Sequence, residues 1–114
     1  MFDRCALLVF VDSEQLSVAG TISGCGPAFA CMMVEALADA VVKHGLRRTQ
    51  AYQLAAGMIK GSGALLLQSG EHPAALKDAV CSPKGTTIRG VAALEENGFR
   101  HALIAAVDAA EQKE

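Results

Sequence analysis

Across residues 28–42 the only polar side chains are Glu35 and Asp39, and Lys43 extends their line by four more residues, so the stretch reads as a helix with one thin polar stripe. A helix that is apolar around most of its circumference has to be surrounded, and so short a chain holds too few other helices to enclose it. A partner subunit packed along Phe29, Met33, Leu37 and Val41 is the expected remedy. Pro27 is expected to open this helix, because a proline in the first position forfeits only an amide that has no helical partner. His44-Gly45 is expected to close it, with glycine in the left-handed cap.

Upstream, Asp12 and Gln15 have the capping-box spacing and predict a short helix ended by Gly20. Before that, Ala6-Leu7-Leu8-Val9-Phe10-Val11 is an apolar run of strand formers, with no second strand signal of comparable quality downstream. It is an orphan strand or extended segment. Downstream, Thr49 is expected to cap a third helix carrying Ala51, Leu54, Ala55, Met58, Leu65 and Leu66, ending at Gly70. Gly57, Gly61 and Gly63 inside it cost about 1 kcal/mol each relative to alanine, which points to a close crossing by another backbone. A fourth helix runs from His72-Pro73 to Val80, stopped by Ser82-Pro83, because the residue before a proline avoids the α region. A fifth follows Thr87 and ends at Asn97-Gly98, and a sixth runs from Phe99 to about Lys113. The reading is an all-α domain of about six helices.

Composition narrows the function classes. At 114 residues the chain supports a single core, and 52% hydrophobic against 19% charged residues excludes intrinsic disorder. Aromatics are only 4% and alanine is the commonest residue, so the core is built from small side chains on closely approaching helices. A net charge of −2, with no basic run beyond Arg47-Arg48, gives no electrostatic footprint for nucleic acid. The charge-free stretch 20–34 contains glycines and Pro27 and falls short of the ~20 apolar residues of a membrane span, so no membrane helix is expected. Asp12 and Glu14 stand where a signal-peptide cleavage site wants small neutral residues. Cys5, Cys25, Cys31 and Cys81 form no CxxC pair and have no histidine at ligand spacing. The chain therefore reads as a reduced, cytoplasmic protein without a metal site.

Two segments could carry chemistry. Gly24-Cys25-Gly26-Pro27 invites a dinucleotide reading, but the third glycine of that fingerprint falls on Phe29 and no clear strand precedes it. It is read as a tight glycine loop, with contact to the edge of a ligand as the alternative. Ser82-Pro83-Lys84-Gly85-Thr86-Thr87 places two backbone-permissive residues, hydroxyls and an ammonium at the amino end of a helix. Free amides and the positive end of the helix dipole converge there, which suits a carboxylate. The same spacing is met by Thr86 acting only as a helix cap. His44, His72 and His101 are far apart with no partner in a catalytic arrangement, and read as helix-end or surface residues. Glu35, Asp39 and Lys43 read as a solvated stripe, with a buried interfacial ion pair as the other possibility.

The segments Ser23-Gly24-Cys25-Gly26-Pro27-Ala28-Phe29, Glu35-Ala36-Leu37-Ala38-Asp39, His72-Pro73, Leu76-Lys77-Asp78, Ser82-Pro83-Lys84-Gly85-Thr86-Thr87, Ala93-Leu94-Glu95 and Gly98-Phe99-Arg100 closely resemble, in order, the carboxy-terminal half of pyrroline-5-carboxylate reductase. That family reduces the ring C=N of 1-pyrroline-5-carboxylate to L-proline with NAD(P)H, using an amino-terminal Rossmann domain and a helical dimerisation domain. The resemblance implies that residues 1–12 are a connector or remnant of the nucleotide-binding domain, and that residues 13–114 form an interlocked, homodimeric, substrate-binding domain. It implies that Ser82, Pro83, Lys84, Gly85, Thr86 and Thr87 form the substrate site. The amides of Gly85, Thr86 and Thr87 would hold the carboxylate, and the Thr87 hydroxyl would bond the ring nitrogen as the catalytic contact. Gly24, Cys25, Gly26 and Pro27 would face the reaction centre near the cofactor. Lys84 departs from the family's usual small residue, and Cys25 and Phe29 replace a usual Ser and Tyr. NAD(P)H belongs to the complete enzyme, and this chain is expected to bind none and to be inactive alone. Rival readings are a stand-alone helical dimerisation module with a vestigial site, and the helical domain of a related imine or hydroxy-acid dehydrogenase.

Overall fold

The computed structural model describes residues 9–112, and among them every regular element is helical. A 3-10 turn, Ser13–Gln15, leads into α1 (Leu16–Lys43), followed by α2 (Arg48–Ser69), α3 (Pro73–Ala79), α4 (Thr86–Glu96) and α5 (Phe99–Glu111). The expected orphan strand falls partly on residues 6–8, outside the described residues, and residues 9–11 have no regular structure.

The capping spacing at the start behaves as predicted: the Asp12 backbone N–H donates to Gln15 Oε1 at 3.1 Å. The expected stop at Gly20 does not occur, nor does the expected start at Pro27. α1 runs through both, so two predicted helices are one and the count falls from six to five. Glycine weakens a helix without ending it unless other partners compete for the preceding carbonyls. Pro27 removes only its own amide bond, toward the Ser23 carbonyl four residues back. The exposed Ser23 hydroxyl donates back to the carbonyls of Ala19 and Gly20, each at 3.3 Å. Gly24-Cys25-Gly26-Pro27 is therefore helix interior, and the loop reading is corrected.

Continuity through Gly20 also lengthens the apolar stretch. The helical segment Ser13–Lys43 is, by length and composition, long and apolar enough to cross a membrane, so the expectation that no such segment exists does not hold. The central helix of a helical assembly meets the same description, and α1 has α2 and α5 packed against it.

Helix ends follow local chemistry. At the end of α1 the Leu46 N–H donates to the Val41 carbonyl at 3.0 Å and Gly45 N–H to Val42 at 2.9 Å, with Gly45 at φ 106°, which is the Schellman arrangement. The chain then extends through Arg47, whose carbonyl accepts the first bond of α2 from Ala51, so α2 starts one residue earlier than Thr49 and has no side-chain cap. Gly70, at φ 66°, ends α2 as expected.

Packing within the chain is thin. α1 packs on α2 and α5, and α5 on α4, whereas α3 rests extensively on no other helix. The only buried apolar residues among those described are Ala38, Ala51 and Ala55, and no large side chain is fully enclosed. Thr21 is buried as well, and its hydroxyl donates to the Glu111 carboxylate, tying α1 to the end of α5. The chain exposes 9422 Å², where a folded monomer of 11.8 kDa exposes roughly 5,900 Å². Its radius of gyration is 16.1 Å, against about 13 Å for a compact domain of this length.

The four predicted interface residues border two different grooves. Phe29 and Met33 border an open groove of about 380 Å³ shared with Phe99 and Leu103 of α5. Leu37 and Val41 border another of about 220 Å³ with Leu54 and Met58 of α2. Residues spaced by four advance about 40° per step around a helix, so the stripe winds by roughly 120° over three steps. Gly57, Gly61 and Gly63 have nothing near the position of an added Cβ, so the crossing that they predict is not made by this chain's own backbone.

Because Pro27 lies inside a continuous helix, Pro27→Ala restores an amide donor and removes a ring from the helical path. It is expected to raise stability by roughly 1 to 3 kcal/mol, read as a higher urea midpoint at fixed protein concentration.

Candidate functional site

The segment between α3 and α4 is shaped by two adjacent residues. α3 begins at Pro73 with His72 as its cap, the His72 Nδ1 accepting from the Ala74 N–H at 3.0 Å. It ends at Val80, and the Cys81 N–H donates back to the Asp78 carbonyl at 3.1 Å. The chain then reverses: Gly85 N–H donates to the Ser82 carbonyl at 3.0 Å, with Pro83 and Lys84 between them. Proline fixes its own φ near −65°, and Lys84 has φ 60°, so the four residues form a type II turn. Lys84 is the only non-glycine residue with positive φ among those described. It occupies the position where this turn type prefers glycine.

Gly85 is required for a different reason. Its backbone is extended, at φ −75° and ψ 171°, but a Cβ there would run into the Ser82 hydroxyl and lie 3.1 Å from the Ser82 carbonyl oxygen. It is also the N-cap of α4, and no side chain caps that helix. The Gly85 amide is taken by the turn, so the amides left without a helical partner at this end are those of Thr86, Thr87 and Ile88. Three N–H groups and the positive end of the α4 dipole are thus available beside the exposed Thr86 and Thr87, with exposed Lys84 one residue before the N-cap. Free amides at a helix amino end can accept a small anion. The contribution of Ile88 was not legible from side-chain chemistry, since it lies in its backbone. The Ser-Pro pair did signal the turn.

Residues 24–27 lie on α1, and α4 packs extensively on α5 alone, so a single chain does not bring the two predicted segments together. His44 is the C-cap of α1 and His101 is exposed on α5, so each histidine has the helix-end or surface place expected of it. Cys25, Cys31 and Cys81 are free, and no group of metal-ligating side chains occurs among the described residues. Asp39 accepts from Arg48, whose guanidinium also lies 5.6 Å from the centre of the Tyr52 ring. With side chains 68% and 47% exposed within the chain, this pair joins α1 to α2 at its surface. The bond to Asp39 raises the Arg48 pKa above its ordinary value. Across the Asn97-Gly98 link, Arg100 Nε donates to Glu95 Oε1 at 2.9 Å, fixing α5 to the end of α4.

A family profile described as pyrroline-5-carboxylate reductase dimerisation matches residues 13–114. The chain belongs to the pyrroline-5-carboxylate reductase family. It is 61% identical over 100 residues to the pyrroline-5-carboxylate reductase of Treponema pallidum, covering 88% of this chain and 38% of that protein. It is 55% identical over 86 residues to the Escherichia coli reductase, covering 75% and 32%. Among solved structures it superposes on the pyrroline carboxylate reductase of Plasmodium falciparum, crystallised with NADP bound, with a TM-score of 0.85 and 38% identity over 96% of this chain and 44% of that one. The Streptococcus pyogenes enzyme gives 0.83 at 31% identity, over 88% and 39%. The chain therefore spans less than half the length of these relatives, and what it matches is the family's helical dimerisation region.

The left-handed lysine gives the turn a direct test. Lys84→Gly is expected to stabilise the chain by roughly 0.5 to 1 kcal/mol in chemical denaturation, because glycine adopts this φ without the Cβ penalty. Gly85→Ala is expected to destabilise it and to displace Ser82, seen as amide shift changes confined to residues 81–88.

Proposed function

We propose that this chain is the dimerising and substrate-holding part of a pyrroline-5-carboxylate reductase of the cytoplasm, which reduces 1-pyrroline-5-carboxylate to L-proline with NAD(P)H and works as a homodimer. The observation that carries the substrate assignment is the uncapped amino end of α4, presented by a tight turn. In this reading the substrate carboxylate sits on the amides of Thr86, Thr87 and Ile88, with the Lys84 ammonium adding positive charge at the turn. The Thr87 hydroxyl bonds the ring nitrogen and fixes which face of the C=N is offered for reduction. Such a site works by position and charge, because the reacting bond is in the substrate and the electrons come from the cofactor.

Residues 24–29 do not carry a dinucleotide fingerprint. Gly24 and Gly26 are interior to α1, where backbone amides are already engaged in the helix, and the third glycine of the fingerprint is Phe29. NAD(P)H is accordingly assigned to residues other than these, and residues 24–27 are proposed only to border the reaction centre.

Catalysis by this chain joined to a nucleotide-binding half tests the assignment. Thr87→Ala is expected to lower kcat/KM by roughly 30- to 150-fold, the equivalent of about 2 to 3 kcal/mol for a lost buried polar contact. An unchanged rate would identify a scaffold with a vestigial turn instead. Electron density for soaked L-proline on the Thr86, Thr87 and Ile88 amides is the matching structural result.

A further inference from the structure

Two neighbouring helices begin in opposite ways. α4 starts with three amides unclaimed, whereas the amino end of α3 is closed by a single residue, His72. Pro73 brings no N–H, the Ala74 N–H donates to His72 Nδ1 at 3.0 Å, and the Ala75 and Leu76 N–H groups donate to the His72 carbonyl at 2.9 and 3.3 Å. Among the described α-helices, α1, α2, α4 and α5 have no side-chain cap, so α3 alone uses one. It also has the most need of one. With seven residues, and resting extensively on no other helix, it has to be held by local bonds. What it carries is the turn: the Cys81 N–H is bonded back to the Asp78 carbonyl at 3.1 Å, and the type II turn begins at the next residue, Ser82. No slack segment separates the two.

We infer that His72 is a positioning residue for the turn that presents the α4 amides, and that uptake of a proton by its ring releases the hold. Its bearing on substrate rests on the reading of that turn as the carboxylate site. An imidazole accepts a hydrogen bond only through an unprotonated nitrogen, and in the imidazolium both nitrogens are donors. Protonation therefore breaks the bond from Ala74 and sets a positive charge at the positive end of the α3 dipole. The hold is complete while the ring is neutral and is lost as pH falls through the range in which histidine changes charge. Few other charges lie nearby. Glu71, whose N–H is fixed by Ser69 Oγ at 3.1 Å, precedes the ring, and Lys77, which pairs with Asp78 at 3.4 Å, is the ionisable residue in the cleft of about 250 Å³ between α2 and α3. Carboxylates and amines ordinarily change charge outside the histidine range.

Amide exchange of the whole chain, followed by NMR from about pH 7.5 to about pH 5.5 and corrected for the intrinsic rate, tests this without any catalysis. Protection of the Ala74 and Gly85 amides is expected to fall together on acidification, by about fivefold, the worth of a typical helix cap. His72→Asn supplies a cap that does not titrate and is expected to keep both amides protected across the range, whereas His72→Ala is expected to lose both at either pH. In the chain joined to a nucleotide-binding half, His72→Ala is expected to raise KM for 1-pyrroline-5-carboxylate about fivefold with kcat little changed, and His72→Asn to restore it. Protection that does not change with pH, an acid loss equal in the unaltered chain and in His72→Asn, or a loss confined to Ala74 with Gly85 unaffected would each overturn the inference. If both amides respond and KM does not, the cap stands and the substrate assignment of the turn fails instead.

Discussion

The structure depends on one constraint: α1 is apolar on more sides than its own chain can cover. Glu35, Asp39 and Lys43 supply its polar stripe, and α2 and α5 cover only part of the remainder. Everything else follows from where that uncovered surface lies. The two grooves flank α1, and the buried apolar residues among those described are three alanines.

The candidate site uses a different kind of physics, independent of hydrophobic area. Pro83 sets the turn, Lys84 accepts a backbone conformation that suits glycine, and Gly85 leaves room for Ser82 while presenting α4 without a cap. The outcome is a cluster of unpartnered amides held by local geometry. Lys84 holds a left-handed backbone conformation that costs an L-residue some stability.

Much of this was legible in the sequence, and the exceptions have physical causes. The ends at Gly45, Gly70 and Gly98, and the start at His72-Pro73, were readable because a cap is a local event decided by one or two residues. The fusion of two predicted helices into α1 was not, because Gly20 and Pro27 carry the same local signals whether a helix ends there or passes through. The expectation that α1 needs an external partner came from hydrophobic periodicity and agrees with the family's dimerisation profile. Phe29, Met33, Leu37 and Val41 divide between two grooves, because a four-residue repeat rotates around the helix. At the turn, residue types pointed to Thr86 and Thr87, but only the coordinates showed that the Gly85 amide is spent on the Ser82 carbonyl.

The alanine contacts between α1 and α2 have a mechanical corollary. Methyl groups have no rotamers to readjust, so two helices meeting on Ala38, Ala51 and Ala55 cannot slide or swivel by repacking side chains as leucine-rich seams do. A change in the angle between α1 and α2 therefore has to be absorbed outside this seam.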